Sequence, residues 1–250
     1  MSDTEQPRVA IVTGGTRGIG RSISLDLARK GIVVIATYKS NDFLAESLHE
    51  ISREENLALN VQQQDIDNID STSMWARQVI ERFGAVDILV NNAGITLDEL
   101  VIHQVESHWD QVLQTNLKGH VFLTKSCLFA MLKNRFGCII NISSVAGLYG
   151  NVGQTAYSAT KSALLALTGS WAREYGRFGV RCNAVIPALV ETDMSSSLPE
   201  KVRDAILKKY SLEYPLSPTS VSSVVSFLCS DKAVRLNGQS IAVGFNRQYF

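Results

Sequence analysis

Tyr157 and Lys161 stand four residues apart in the stretch Tyr157-Ser-Ala-Thr-Lys161. On a helix that spacing stacks a phenol and an ammonium on one face. A nearby ammonium favours phenolate and draws a group of reference pKa about 10 toward neutrality. A tyrosine tuned in this way can pass a proton to or from an alcohol or a ketone. Ser144 stands thirteen residues upstream. Alone, Tyr-x-x-x-Lys also describes an aromatic and a lysine lying along an ordinary helix.

The other end of the chain supplies a partner. Thr13-Gly14-Gly15-Thr16-Arg17-Gly18-Ile19-Gly20 follows the apolar run Val9–Val12 and opens an amphipathic stretch. A glycine fingerprint between a strand and a helix is the context that holds a dinucleotide. Gly14 permits the tight turn, Gly18 lets the backbone approach a pyrophosphate, and Gly20 lets helix and strand pack closely. The helix N-terminus offers amides to the anion. An NAD site calls for an acid at the end of the second strand. Tyr38 stands there, Lys39 follows, and the first carboxylate is Asp42. The missing acid, with Arg17 and Lys39 close by, points to a 2′-phosphate pocket and to NADPH in preference to NADH. Asp42, shifted to the ribose, would carry the NADH alternative.

Around these motifs, short apolar runs alternate with helix-length segments. Strands are expected at Val9–Val12, Ile32–Thr37, Leu57–Gln62, Val86–Val90, Cys138–Ile142, Val180–Ile186 and Gln239–Val243. Strands without polar alternation, each separated by a helix, indicate an α/β doubly wound domain: a seven-stranded parallel sheet with helices on both faces. No linker or composition shift divides the 250 residues, so one domain over 1–250 is expected. The serine- and charge-rich segment 188–211 lacks strong structure and is expected to be a lid over the substrate. Lys and Arg number 24, as do Asp and Glu, and the balance argues against a nucleic-acid surface. Cys127, Cys138, Cys182 and Cys229 sit in apolar surroundings without metal-ligand spacing and read as reduced, buried thiols. His49, His103, His108 and His120 show no ligand spacing and are expected at or near the surface, so no metal is expected. The polar start is unlike a signal peptide and no apolar run reaches a membrane span, which fits a cytoplasmic protein.

These pieces resemble the short-chain dehydrogenase/reductases from end to end. The likeness is carried by Thr13-Gly-x-x-x-Gly-x-Gly20, Asp65-Ile66, Asn91-Asn-Ala-Gly94, Asn116, Ser144, Tyr157-x-x-x-Lys161, Pro187 and Glu191-Thr-Asp-Met194. Within the family the 3-oxoacyl-[acyl-carrier-protein] reductases are the most similar, with acetoacetyl-CoA reductases close behind. The resemblance implies a Rossmann-type fold and a homotetramer built from the two long helices and the last strand. It implies that Asp65 and the Ile66 backbone bind adenine and that Asn92, Ala93 and Gly94 line the cofactor near its ribose. Pro187 to Thr192 would meet the nicotinamide amide, chiefly through Val190 and Thr192. Ser144, favoured over the competing Ser143 by its thirteen-residue spacing to Tyr157, would steady charge on the substrate carbonyl oxygen, Tyr157 give the proton, and Lys161 hold the ribose and tune Tyr157. Asn116 would kink its helix and hold a water linking Lys161 to solvent.

Three departures from the family pattern stand out. Ala188 follows Pro187 in place of glycine, Tyr214-Pro-Leu-Ser-Pro218 replaces an Arg-x-Gly-x-Pro pattern, and the tail Val243–Phe250 lacks an Asn-Gly-Gly turn. The substrate expected is an acyl thioester on an acidic carrier protein, with Lys133, Arg135 and Arg177 as basic docking residues. A cofactor-binding scaffold without activity is the alternative of different class.

Overall fold

The structure, a computed structural model, describes residues 7–196, 200–208 and 214–245. Its strands are β1 Val9–Val12, β2 Val33–Tyr38, β3 Leu59–Gln63, β4 Ile88–Asn91, β5 Gly137–Ile142, β6 Val180–Pro187 and β7 Ser240–Val243. They form one all-parallel sheet in the order β3-β2-β1-β4-β5-β6-β7, the expected Rossmann-type arrangement. Successive side chains of a strand point to opposite faces. Ala10, Val12, Ile88, Val90, Cys138 and Ile140 therefore enter one core layer, and Val9, Ile11, Leu89 and Ile139 the other. Both layers are apolar, which is why the strand sequences show no polar alternation.

The helices are α1 Gly18–Arg29, α2 Asp42–Glu54, α3 Ile69–Phe83, α4 Glu106–Leu113, α5 His120–Asn134, α6 Ala146–Tyr149, α7 Thr155–Tyr175, α8 Asp193–Ser196, α9 Glu200–Leu207 and α10 Pro218–Cys229. Helices α1 and α10 pack into the first layer, and α3, α5 and α7 into the second. Asn41 and Asn68 cap α2 and α3 by accepting from Leu44 N and Ser71 N, each at 3.0 Å. A π turn, Gln114–Gly119, joins α4 to α5. No helix among the described residues is long and apolar enough to cross a membrane.

Some boundaries differ from those expected. Strand β3 begins at Leu59, because Leu57 N is used to close α2 against Ser52 O at 2.8 Å. The segment 188–211 is not bare loop. It carries α8 and α9, and its base is pinned where Glu191 N meets Leu216 O and Leu216 N meets Leu189 O, both at 2.8 Å. Residues 197–199 and 209–211 of that segment, and 246–250 of the tail, lie outside the described residues.

Two of the sequence departures meet each other. Leu216 is buried, Ser217 caps α10 ahead of Pro218, and Gly244, at φ +84°, turns so closely that a Cβ would lie 2.7 Å from Leu216 Cδ1. Ala188 continues the ladder, its N bonded to Val243 O at 2.9 Å.

Beneath the carboxyl ends of β4 and β5 lies a buried polar ladder. Asn91 Nδ2 donates to Asn141 Oδ1 at 2.9 Å and to Thr124 Oγ1 at 3.1 Å, and Asn141 Nδ2 donates to Thr168 Oγ1 at 2.8 Å. Truncating one member strands the others away from water. Asn141→Ala should lower unfolding stability by about 2–4 kcal/mol, measured by urea denaturation; a loss under about 0.5 kcal/mol would show the ladder to be dispensable.

Candidate active site

Because every strand is parallel, all carboxyl ends share one edge of the sheet, and the strand order reverses between β1 and β4. A crevice at that edge is where open α/β sheets bind ligands. A cleft of roughly 450 Å³ lies there. Its walls include Gly14, Thr16, Arg17, Gly18, Ile19 and Gly20 after β1, with Tyr38 and Lys39 after β2. Asp65 and Ile66 follow β3, Asn92, Ala93 and Gly94 follow β4, and Tyr157, Lys161 and Thr192 complete it.

The glycine loop fits a dinucleotide. Gly14 and Gly18 hold φ of +61° and +50°, and a Cβ on Gly20 would sit 2.1 Å from Gly14 O. Helix α1 starts without a side-chain cap and without an acid in its first turn, which leaves its amides to an anion such as a pyrophosphate. Thr13 Oγ1 accepts from Asn92 N at 2.9 Å and Ala93 N at 3.0 Å, tying the loops after β1 and β4 together.

At the adenosine end the charges are already engaged. Lys39 Nζ lies 2.9 Å from Asp65 Oδ2 and 2.6 Å from Asp67 Oδ2. Its pKa is raised, chiefly by the Asp67 hydrogen bond. Asp42 is the first residue of α2, within hydrogen-bond reach of the Tyr38 phenol, and is not among the cleft walls.

Tyr157 and Lys161 meet in the wall of the cleft, with Ser143 and Ile142 at the end of β5. Lys161, 3 % exposed, donates from Nζ to Ile142 O at 2.8 Å, and Nζ is 5.6 Å from the Tyr157 ring centroid. Burial lowers its pKa to about 8. Tyr157 is pushed above its ordinary value by burial; a Ser144 hydrogen bond pulls it down, and the Asp98 carboxylate adds to the rise. In the cofactor-free protein burial therefore outweighs the pull toward neutrality expected from Lys161, and the group is a phenol. Ser143 lines the cleft, but its hydroxyl donates to Lys161 O at 2.8 Å; Ser144, which is not among the walls and whose Oγ accepts from Ala146 N at 3.2 Å, is the serine hydrogen-bonded to Tyr157. Asn116 sits in the π turn, fully buried. Its amide is fixed by Ile95, with Oδ1 accepting from Ile95 N at 2.8 Å and Nδ2 donating to Ile95 O at 2.9 Å.

Other expected residues lie elsewhere. Val190 is buried in the core beside β6, 6 % exposed, and is not a wall of the cleft; Pro187 ends β6, also outside the walls. Lys133, Arg135 and Arg177 are not among the cleft walls. They precede β5 and β6, at the amino ends of the strands, so a strand of about 20 Å separates them from the cleft. Within the chain, the serines leave the opposite end of β5 from Lys133 and Arg135.

The sequence also missed neighbours. His120, expected near the surface, is fully buried. Its Nε2 donates to Ala93 O at 2.7 Å, Nδ1 has no partner, and burial with the nearby Lys161 lowers its pKa to about 3. Its position one helical turn after Asn116 was the available signal. Gln154 Nε2 donates to Asp98 Oδ2 at 2.8 Å, linking the walls beside Tyr157; nothing in the pattern marked that pair.

The buried lysine makes a stability prediction. Below about pH 8 the ammonium is charged in both folded and unfolded chains, and its desolvation is fully felt. Between about 8 and 10.5 the unfolded chain keeps a proton that the folded chain has released, so wild-type stability gains with rising pH. Lys161→Met should therefore be more stable than wild type by roughly 1–3 kcal/mol at pH 7, and the gap should close by pH 10. Paired denaturation curves of the cofactor-free proteins check this; a gap independent of pH would refute it.

Comparison with known proteins agrees with the geometry. The family model described as short chain dehydrogenase matches residues 8–203. The 3-oxoacyl-[acyl-carrier-protein] reductase FabG of Staphylococcus aureus strain Mu50 is 39 % identical over 234 residues, covering 94 % of this chain and 95 % of the relative. FabG of Thermotoga maritima is 38 % identical over 239 residues, with coverages of 94 % and 96 %. Among solved structures, that of gox2181 superposes with a TM-score of 0.91 at 33 % identity, covering 96 % of this chain and 95 % of the other. With a cleft for a nicotinamide dinucleotide and a serine, tyrosine and lysine gathered at its end, the chain belongs to the short-chain dehydrogenase family and is an oxidoreductase acting on a carbonyl or hydroxyl group.

Proposed function

We propose that this protein reduces a 3-oxoacyl thioester, carried on acyl carrier protein, to the 3-hydroxyacyl form with NADPH, in fatty-acid or related acyl synthesis. The observation that carries the reading is the meeting of Tyr157 with Lys161 in the wall of the cleft that begins at the glycine loop, with Ser144 hydrogen-bonded to Tyr157. The relatives named FabG support the substrate class. So do Leu100, Val101, Ile102 and Val152, exposed apolar side chains on the segments flanking Asp98 and Gln154.

The nicotinamide, when bound, supplies the hydride for the carbonyl carbon. Ser144 donates a hydrogen bond to the carbonyl oxygen, where negative charge develops. Tyr157, kept as a phenol by burial, gives its proton to that oxygen. Lys161 lies beside the ring, placed to hold the cofactor ribose and to favour the tyrosinate left behind. Asn116, held on Ile95 by two hydrogen bonds, would orient the water that restores the proton. The segment 188–211 would close over the substrate. Phe122 and Phe129, exposed on α5, support the homotetramer implied by the resemblance.

Mixing the protein with NADPH and acetoacetyl-CoA or a carrier-bound 3-oxoacyl group should consume nicotinamide absorbance. NADPH binding without oxidation by any 3-oxoacyl thioester would favour the non-catalytic scaffold, and preference for the CoA thioester would favour an acetoacetyl-CoA reductase. Tyr157→Phe should lower kcat by about 10²–10⁴-fold while cofactor affinity stays near wild type; turnover at the wild-type rate would remove Tyr157 as proton donor.

A further inference from the structure

We infer that Asp67 is a cofactor-selectivity residue: it competes with the 2′-phosphate of NADPH for Lys39, and so tempers the preference for NADPH over NADH. The inference rests on the nicotinamide-dinucleotide reading of the cleft. Lys39 lines that cleft together with Arg17, whereas Asp67 stands behind it and is not among the walls. Its side chain is 19 % exposed against 58 % for Lys39. Asp67 Oδ2 holds the Lys39 ammonium at 2.6 Å, and Oδ1 is buried without a hydrogen-bond partner. The Asp67 backbone is itself fixed, with N donating to Asp65 Oδ1 at 3.0 Å and O accepting from Gln114 Nε2 at 2.7 Å. The carboxylate therefore cannot follow Lys39 if the lysine swings away.

A 2′-phosphate in this pocket would meet a lysine already neutralised by two carboxylates. Asp65 is the residue expected beside the adenine whichever dinucleotide binds, so its charge is common to both. Asp67 is different. When Lys39 turns to a phosphate, the Asp67 carboxylate loses the cation on Oδ2 while Oδ1 has no hydrogen-bond partner among the described residues. A 2′-hydroxyl asks nothing of Lys39 and leaves the pair intact. The opposition thus falls on NADPH and spares NADH.

Titration of NADH and NADPH into the cofactor-free proteins, followed by nicotinamide fluorescence, tests this through the ratio of the two Kd values. Asp67→Asn should shift the ratio toward NADPH by about three- to fivefold, the scale of a partly exposed ion pair. Lys39→Ala should shift it toward NADH, and Asp67→Asn added to Lys39→Ala should then change nothing, because the acid acts through the lysine. The shift should shrink as salt is raised. An Asp67→Asn ratio equal to wild type, or an equal shift persisting without Lys39, would overturn the inference. Failure of the wild-type protein to bind either dinucleotide would instead strike the reading of the cleft, so the two outcomes are separate. Asp67→Glu, which keeps the charge, should restore most of the wild-type ratio; if it behaves as Asp67→Asn does, the effect is structural rather than electrostatic.

Discussion

An ammonium almost wholly removed from water, with one backbone carbonyl as its hydrogen-bond partner among the described residues, is the constraint around which this structure is arranged. Burying Lys161 without an adjacent carboxylate is unfavourable, and the surrounding backbone must hold it there. Strand β5 supplies the Ile142 carbonyl, and Ser143 ties the lysine's own backbone to the end of that strand. Helix α6 lies so close that a Cβ on Gly147 would be 2.8 Å from the Lys161 carbonyl carbon. Gly94 leaves space on the other side, where a Cβ would reach Nζ at 3.5 Å. Stability and chemistry pull in opposite directions at this residue, as expected where a group is held for its reactivity.

The two lysines of the cleft show how environment sets the behaviour of one side-chain type. Burial lowers the pKa of Lys161, which has no acid to answer it, whereas two carboxylates raise that of the exposed Lys39. Lys161 also dictates its surroundings: it helps keep His120 neutral, and a neutral imidazole is content with one donated bond to Ala93 O. The turn Asn92–Gly94 is thus braced from below by His120 and from the side by Thr13.

Much of this was legible in the sequence because the relevant physics is local. Seven apolar runs mark buried parallel strands, glycines at 14, 18 and 20 answer steric demands within a few residues, and Tyr157 and Lys161 share a helix face by spacing alone. What escaped depends on relations across the sheet. Lys133 and Arg135 are near Ser144 in sequence, yet the direction of β5 carries them to its other end. The ion pair of Lys39 with Asp67 joins the ends of neighbouring strands that are 28 residues apart along the chain. Val190 turned inward because its bridge to Leu216 places it against the core, and helices as short as α8 leave little periodicity to detect.

The π turn at Gln114–Gly119 has a consequence for how the chain can change. One residue more than a regular turn advances the following helix by about 100° about its axis. That phase brings Leu123, Cys127 and Met131 of α5 onto the core while Phe122 and Phe129 face outward. Deleting a single residue here would remove the bulge that carries Asn116 and also rotate the whole of α5 by about 100°, turning Leu123, Cys127 and Met131 away from their places in the core. The bulge therefore behaves as a phase-setting element: a change in its length is transmitted along fifteen residues of helix.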